Sequence, residues 1–300
     1  MHRPSFAALT ALFFAHAANA QPPERFDIAI TVDDLPAHGP LPAGMTRAEI
    51  AAAHVALFRA HGVPEAFGFL NANRLAQEPD SAAALATWRQ AGQPLGNHAF
   101  SHMSLDASST LAAWQADVEA GEAAVAERMT GQDWRWFRYP YLATGTDPAR
   151  RDAARSWLTA RGYRLAAVSV SFDDWAYTDA YVRCLARNDG AAIAAMKTQY
   201  LDEVDDGIAR MKASSRQLFG RVIPQVLLTH VGAWSAATLP EVLNRLDAAG
   251  ARYVTLAAAQ ADAAYSQAAG GNVIEGEAQR RGIALPARTA RRLDPDKACR

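Results

Sequence analysis

The feature that most constrains this chain is a repeated alternation of short apolar runs with longer helix-type segments. Phe26 to Val32 (FDIAITV), Ala66 to Leu70 (AFGFL), Arg135 to Arg138, Arg164 to Val170 (RLAAVSV), Val226 to Thr229 (VLLT) and Arg252 to Val254 read as strands. Between them lie six helical stretches: Arg47 to His61, Ser81 to Ala91, Thr110 to Met129, Pro148 to Arg161, Thr178 to Phe219 and Pro240 to Ala249. Gly62, Gly131, Gly162 and Gly250 stand where helices should stop, and Asn188-Asp189-Gly190 breaks the longest stretch. Strands separated by helices call for crossover connections and hence a mainly parallel sheet. The expected fold class is α/β, a barrel in one domain from about residue 21 to 265, with an open doubly wound sheet as the alternative.

Composition narrows what such a domain can do. Half of the residues are hydrophobic and 20% are charged, which supports a sizeable core and argues against disorder. Thirty Lys and Arg against 31 Asp and Glu leave a formal net charge of −1, with no global attraction for nucleic acid or anionic lipid. Residues 1–20 begin with His2 and Arg3, run apolar from Phe6 to Ala15 and close on Ala18-Asn19-Ala20. That is the pattern of a secretory signal peptide cut after Ala20. Its apolar run is short for the roughly 30 Å of a bilayer core, and no later stretch reaches the ~18 apolar residues of a spanning helix. The expected location is periplasmic or extracellular, without stable membrane insertion. Residues 266–300 are expected to form a basic tail, in part disordered: Gln279 to Arg300 carries seven Arg and Lys against two Asp. Two cysteines, Cys184 and Cys299, cannot build a disulfide framework or a thiolate zinc site. Whether they pair stays open, and any metal must be held by histidine and carboxylate.

The polar residues are informative by position. Asp33-Asp34 follows the first strand; His98, Ser101 and His102 follow the apolar Pro94-Leu95-Gly96; Arg138-Tyr139-Pro140-Tyr141 follows Trp136-Phe137. Asp173-Asp174-Trp175 and His230 likewise stand at the exits of strand-like runs. Singly, each has an ordinary explanation: aspartates cap turns and helices, an arginine sits on the surface, a lone histidine is satisfied in the core. Together they would meet on the carboxyl-end rim of a barrel, where active sites sit. His98 and His102, four residues apart, with Asp34 supply two imidazoles and a carboxylate, a set that leaves an open position on a divalent ion. Such an ion lowers the pKa of water to roughly 7 and polarises a carbonyl. Asp33 beside it can act as base, and His230 as acid from the opposite side, which together describe amide or ester hydrolysis.

These residues resemble the polysaccharide deacetylases of carbohydrate esterase family 4. Thr31-Val32-Asp33-Asp34-Leu35 is similar to that family's T-F-D-D-G motif, His98 to His102 to H-[ST]-x-x-H, and Arg138 to Tyr141 to R-x-P-[YF]. Asp174-Trp175 and Leu228-Thr229-His230 resemble its last two motifs, in the same order. The resemblance covers roughly residues 26 to 256. It implies a distorted (β/α) barrel that removes acetyl groups from an acetylated glycan, with an N-acetylglucosamine polymer or peptidoglycan favoured. It implies Asp33 as base, Asp34, His98 and His102 as metal ligands, Arg138 as the group orienting the base, Asp174 as a carboxylate that pairs with the catalytic machinery, His230 as the general acid, and Tyr141 and Trp175 as substrate contacts. Zinc is the implied metal, with cobalt or nickel as alternatives. Leu35-Pro36 replaces the family's glycine, and Ala99 stands where Ser or Thr is usual, so the groove is expected to differ in shape. Two other readings compete: hydrolysis of a small amide, formyl or cyclic-imide substrate on the same scaffold, and a catalytically silent glycan-binding domain.

Overall fold

The computed structural model describes residues 23–78, 80–290 and 294–300; the expected signal peptide at 1–20 lies outside the described residues. In chain order the first half contains β1 (Phe26–His38), α1 (Arg47–Ala60), β2 (Ala66–Leu70), α2 (Arg74–Gln77), α3 (Ser81–Gln90), β3 (Leu95–Asn97), α4 (Leu111–Arg128), β4 (Trp136–Phe137) and α5 (Pro148–Ala160). The second half contains β5 (Arg164–Leu165), β6 (Val170–Ser171), α6 (Thr178–Ala186), α7 (Gly190–Phe219), β7 (Gln225–Gly232), α8 (Ala233–Ala248), β8 (Ala251–Tyr253), α9 (Leu256–Gln260) and α10 (Val273–Arg281).

Every strand pair is parallel, in the order β5-β4-β3-β2-β1-β7-β6, with β8 added beside the start of β1. The sheet curls into a distorted, incompletely closed (β/α) barrel, as expected. Its opening lies where a single strand was expected over 164–170. That run forms two separate edges, because its middle residues bond elsewhere: the Ala167 amide donates to the Gln260 side chain (2.9 Å) and the Val168 amide to the Gly271 carbonyl (3.0 Å). An isolated bridge between Val168 and Asn272 spans the gap.

The central strand β1 is buried from Ile28 to Val32 and apolar there except at Thr31, as suits a parallel strand covered on both faces. It continues past the expected end at Val32 to His38, through a register break against both β2 and β7. Helix α8 begins at Ala233, seven residues before the expected Pro240, which lies inside it. The Gly232 amide donates to Ser235 Oγ (2.9 Å) at its first turn. Beyond residue 265, α10 buries Val273, Ile274 and Ala278 against a core that also holds Ala166, Ala167 and Val226. Packed structure therefore continues into the stretch read from sequence as a basic tail. Cys184, buried on α6, is disulfide-bonded to Cys299.

Candidate active site and metal centre

The carboxyl ends of β1, β3, β4, β6 and β7 bring the polar clusters to one rim. Asp33 and His230 are directly opposed across the β1–β7 pairing. Asp34 follows in the register break with a φ of 63°. Ala99 (φ 63°), His102 (φ 62°), Tyr141 (φ 59°) and Asp173 (φ 57°) share that left-handed conformation, which few non-glycine residues adopt. Strain of this kind is concentrated at the site, where surrounding hydrogen bonds hold it in place.

Asp33 and Arg138 form a buried ion pair. Arg138 Nη1 donates to both carboxylate oxygens (3.0 and 3.1 Å), Nη2 to Thr31 Oγ1 (3.0 Å) and Nε to the Ala166 carbonyl (2.8 Å). The guanidinium carbon also lies 4.7 Å from the Phe69 ring centre. Arg138 is fully buried, so its charge is tolerable only with such complete pairing.

Asp34, His98 and His102 form a second group, with one ligand atom from each lying within 4.8 Å of the others. His98 Nδ1–H donates to the Arg138 carbonyl (2.8 Å), which leaves the Nε2 lone pair aimed inward, 3.5 Å from Asp34 Oδ1. His102 Nε2 is 3.4 Å from the same oxygen. Asp34 Oδ1 is buried and has no hydrogen-bond partner. Two imidazole nitrogens facing an unsatisfied carboxylate oxygen fit a divalent cation, since a buried acceptor otherwise has a hydrogen-bond donor. Burial first, then the neighbouring His98, pushes His102 down to about 4, which keeps its imidazole neutral at physiological pH and able to accept a cation. Burial alone would raise Asp34; the hydrogen bond from His38 and the nearby imidazoles of His230, His98 and His102 outweigh it and hold the carboxyl well below its ordinary range.

Asp174 and His230 form a third group. Asp174 Oδ2 accepts from Thr229 Oγ1 (2.6 Å) and from the His230 amide (2.8 Å), and Oδ1 accepts from His230 Nδ1–H (2.8 Å). Burial opposes the charge on His230, but the charge and hydrogen bond of Asp174, with Asp34 and Asp33 behind them, push it up to about 9. The ring thus carries a proton at neutral pH, with Nε2 free of Asp174.

Around these groups the surface is aromatic. Tyr141 (72% exposed), Trp175 (49%) and Phe100 (37%) are the exposed large apolar residues among the described ones. Tyr141 lies over His102, with ring centres 4.4 Å apart. His38, Thr31, Thr229 and Phe100 were not singled out from sequence. For His38, the spacing of four residues from Asp34 was the available signal. The threonines looked like ordinary β-branched strand residues.

Residues 20–159 match the family model of polysaccharide deacetylases. That stretch is similar to a polysaccharide deacetylase domain. The match takes in Asp33, Asp34, His98, His102 and Arg138 and ends before Asp174 and His230, which the fold returns to the same rim. A comparison with curated proteins finds no match. Among solved structures, the fold is similar to that of the chitin deacetylase from the fungal pathogen Colletotrichum lindemuthianum. The two are 17% identical over 81% of this chain and 91% of that one, with a TM-score of 0.55. It is also similar to the catalytic domain of the peptidoglycan N-acetylglucosamine deacetylase from Eubacterium rectale, with 18% identity, 80% and 93% coverage and a TM-score of 0.52. A family 4 pseudoenzyme from Bacillus anthracis gives 14%, 83% and 68%, and 0.51. At these identities the likeness is one of fold.

Proposed function

We propose that this chain is an exported, metal-dependent hydrolase that removes acetyl groups from an acetylated polysaccharide, an N-acetylglucosamine polymer or peptidoglycan in preference. The observation that carries the reading is the opposition of two charged pairs, Asp33–Arg138 and Asp174–His230, across the unsatisfied Asp34 Oδ1. Asp34, His98 and His102 would hold the ion, zinc by preference. Bound there, it supplies Lewis acidity, which makes water nucleophilic near neutral pH and polarises the acetyl carbonyl.

The remaining work belongs to the chain. Asp33, held by Arg138 in one orientation, takes the proton from the attacking water. His230, kept protonated by Asp174, donates from the opposite side to the departing nitrogen or oxygen. Tyr141 and Trp175 offer flat apolar faces suited to stacking on sugar rings. The names of the chitin and peptidoglycan deacetylases with this fold favour an N-acetylated polymer. Export is supported by the leader-like residues 1–20 and by the Cys184–Cys299 disulfide, which suits an oxidising compartment. No helix among the described residues is long and apolar enough to cross a membrane.

The test is acetate release from N-acetylglucosamine oligomers, acetylxylan and peptidoglycan, first with chelator and then with zinc restored. Release that stops with chelator and returns with zinc supports the reading. No release from a zinc-loaded protein moves the assignment to a small-amide hydrolase or a silent binder, the latter having a precedent of fold in the pseudoenzyme.

A further inference from the structure

The two oxygens of Asp34 have different surroundings. Oδ1 faces His98 Nε2 and His102 Nε2 and receives no hydrogen bond. Oδ2 is 2.8 Å from Nδ1 of His38, a third imidazole at the end of β1. His38 reaches it because the register break lets β1 run on to pair with Gly232 of β7, four residues beyond Asp34. Its other nitrogen, Nε2, lies 3.3 Å from the carbonyl oxygen of Trp175, and its ring centre is 5.0 Å from that of His230. His38 is therefore wedged between the ligand carboxylate, the Asp174–Trp175 turn and the His230 ring.

We infer that His38 is a positioning residue that fixes the Asp34 carboxylate so that Oδ1 alone is presented to the cation. The inference rests on the metal-site reading above. A carboxylate bonded at neither oxygen can rotate and exchange them, or turn both toward an ion. A donor on Oδ2 removes that freedom. Asp34 has particular need of it, because its φ of 63° leaves the backbone itself a poor guide for the side chain. His38 is not among the ligands, since its Nδ1 is already engaged with Asp34. It acts on the ion through that residue, as outer hydrogen-bond partners of metal ligands commonly do.

The experiment compares wild type, His38→Ala and His38→Asn. Zinc affinity is measured by chelator competition, and the visible spectrum of the cobalt-loaded protein reports coordination geometry; thermal melting of the metal-free proteins confirms that each is folded. Asparagine can place an amide N–H near the position of Nδ1, whereas alanine cannot. His38→Ala is expected to bind zinc about 10–100-fold more weakly and to alter the cobalt spectrum. His38→Asn should recover most of the affinity and the wild-type spectrum. Wild-type affinity and spectrum in a folded His38→Ala protein overturn the inference while leaving the metal site standing. A wild-type protein that binds neither metal overturns the metal-site reading and this inference with it.

Discussion

Asp33 and Asp34 are neighbours in sequence, but they have unlike partners, and that separates their chemistry. Asp33 has both oxygens on the Arg138 guanidinium, while Asp34 keeps one oxygen bare. Asp33→Asn should therefore lower kcat by about 10²–10⁴-fold, the usual worth of a positioned base, with zinc affinity nearly unchanged. It should also destabilise the fold, because Arg138 would remain buried with Thr31 and Ala166 but without a counter-charge. Retention of most of the rate would remove Asp33 as base. At the opposite side, a His230 that must donate a proton loses activity as pH rises through about 9. Asp174→Asn removes the charge that raises it, so the alkaline limb of kcat/KM should move acidward by at least about one pH unit. The same upward shift means that the pair's contribution to stability is complete below 6.5 and is lost as pH rises through about 9. An unmoved limb in the Asn variant would show that another group sets it. Residue types and strand exits were enough to single out Asp33, Asp34, His98 and His102 from sequence. His38 was not, because the strand was read as ending at Val32 and everything after it as loop.

At the scale of elements, the rhythm of strands and helices was legible where propensity and packing agree. Ala66–Leu70 and Ser81–Gln90 fall close to their expected bounds, and the break between α6 and α7 lies at Asn188-Asp189. Departures arose where tertiary partners decide: a Gln260 side chain divides the expected strand over 164–170, and Ser235 starts α8 ahead of a proline. Helix α10 is short and mostly polar, so three buried apolar residues gave little signal. The loop between the two candidate histidine ligands shows how elements position the site. Asn97, at the end of β3, donates to the Val118 carbonyl (2.9 Å) and the Tyr163 hydroxyl (2.8 Å), and its Oδ1 accepts from the Ala99 amide (2.9 Å). Gly121 of α4 packs against this side chain; a Cβ there would lie 2.7 Å from Asn97 Oδ1 and 3.3 Å from the Ala99 carbonyl carbon. Since Asn97 is locked at both ends, it cannot step aside. Gly121→Ala should cost about 1–3 kcal/mol through overpacking, against a helix-propensity gain of about 1 kcal/mol. Zinc affinity should fall with it, because Ala99 sits between His98 and His102. Gly276 of α10 is the control, for a Cβ there meets nothing within 4 Å. Gly276→Ala should be neutral or stabilising by roughly 0.5–1 kcal/mol. Equal melting temperatures for the two variants would show that the Asn97 side chain gives way to a Cβ at position 121.

Across the whole molecule, the open barrel is held by contacts distant in sequence. Val168 meets Asn272 over the gap, Arg288 pairs with Asp173 (3.3 Å), and the end of the chain is bound to α6. There Arg183 Nη2 lies 3.2 Å from the Pro295 carbonyl oxygen and 3.3 Å from that of Ala298, while Arg187 bonds the Arg300 carbonyl. The Cys184–Cys299 bond spans 115 residues and joins this terminal segment to α6, which follows directly on the Asp174–Trp175 turn. Cross-linking a loop of that length restricts the unfolded chain far more than it alters the folded one. Cys299→Ala leaves Cys184 in its apolar burial and removes only the link. It should cost about 2–4 kcal/mol, a melting temperature lower by roughly 5–10 °C, with reductant producing the same fall in the wild type and none in the variant. Zinc affinity and kcat at 25 °C should stay near wild type, since none of the Asp34, His98 or His102 contacts passes through the terminal segment. If the variant instead melts like the wild type, the noncovalent contacts of Arg183 and Arg187 already hold the strap. If it loses zinc, the terminal segment supports the metal site through the Trp175 turn, and stability and chemistry are not separate in this fold.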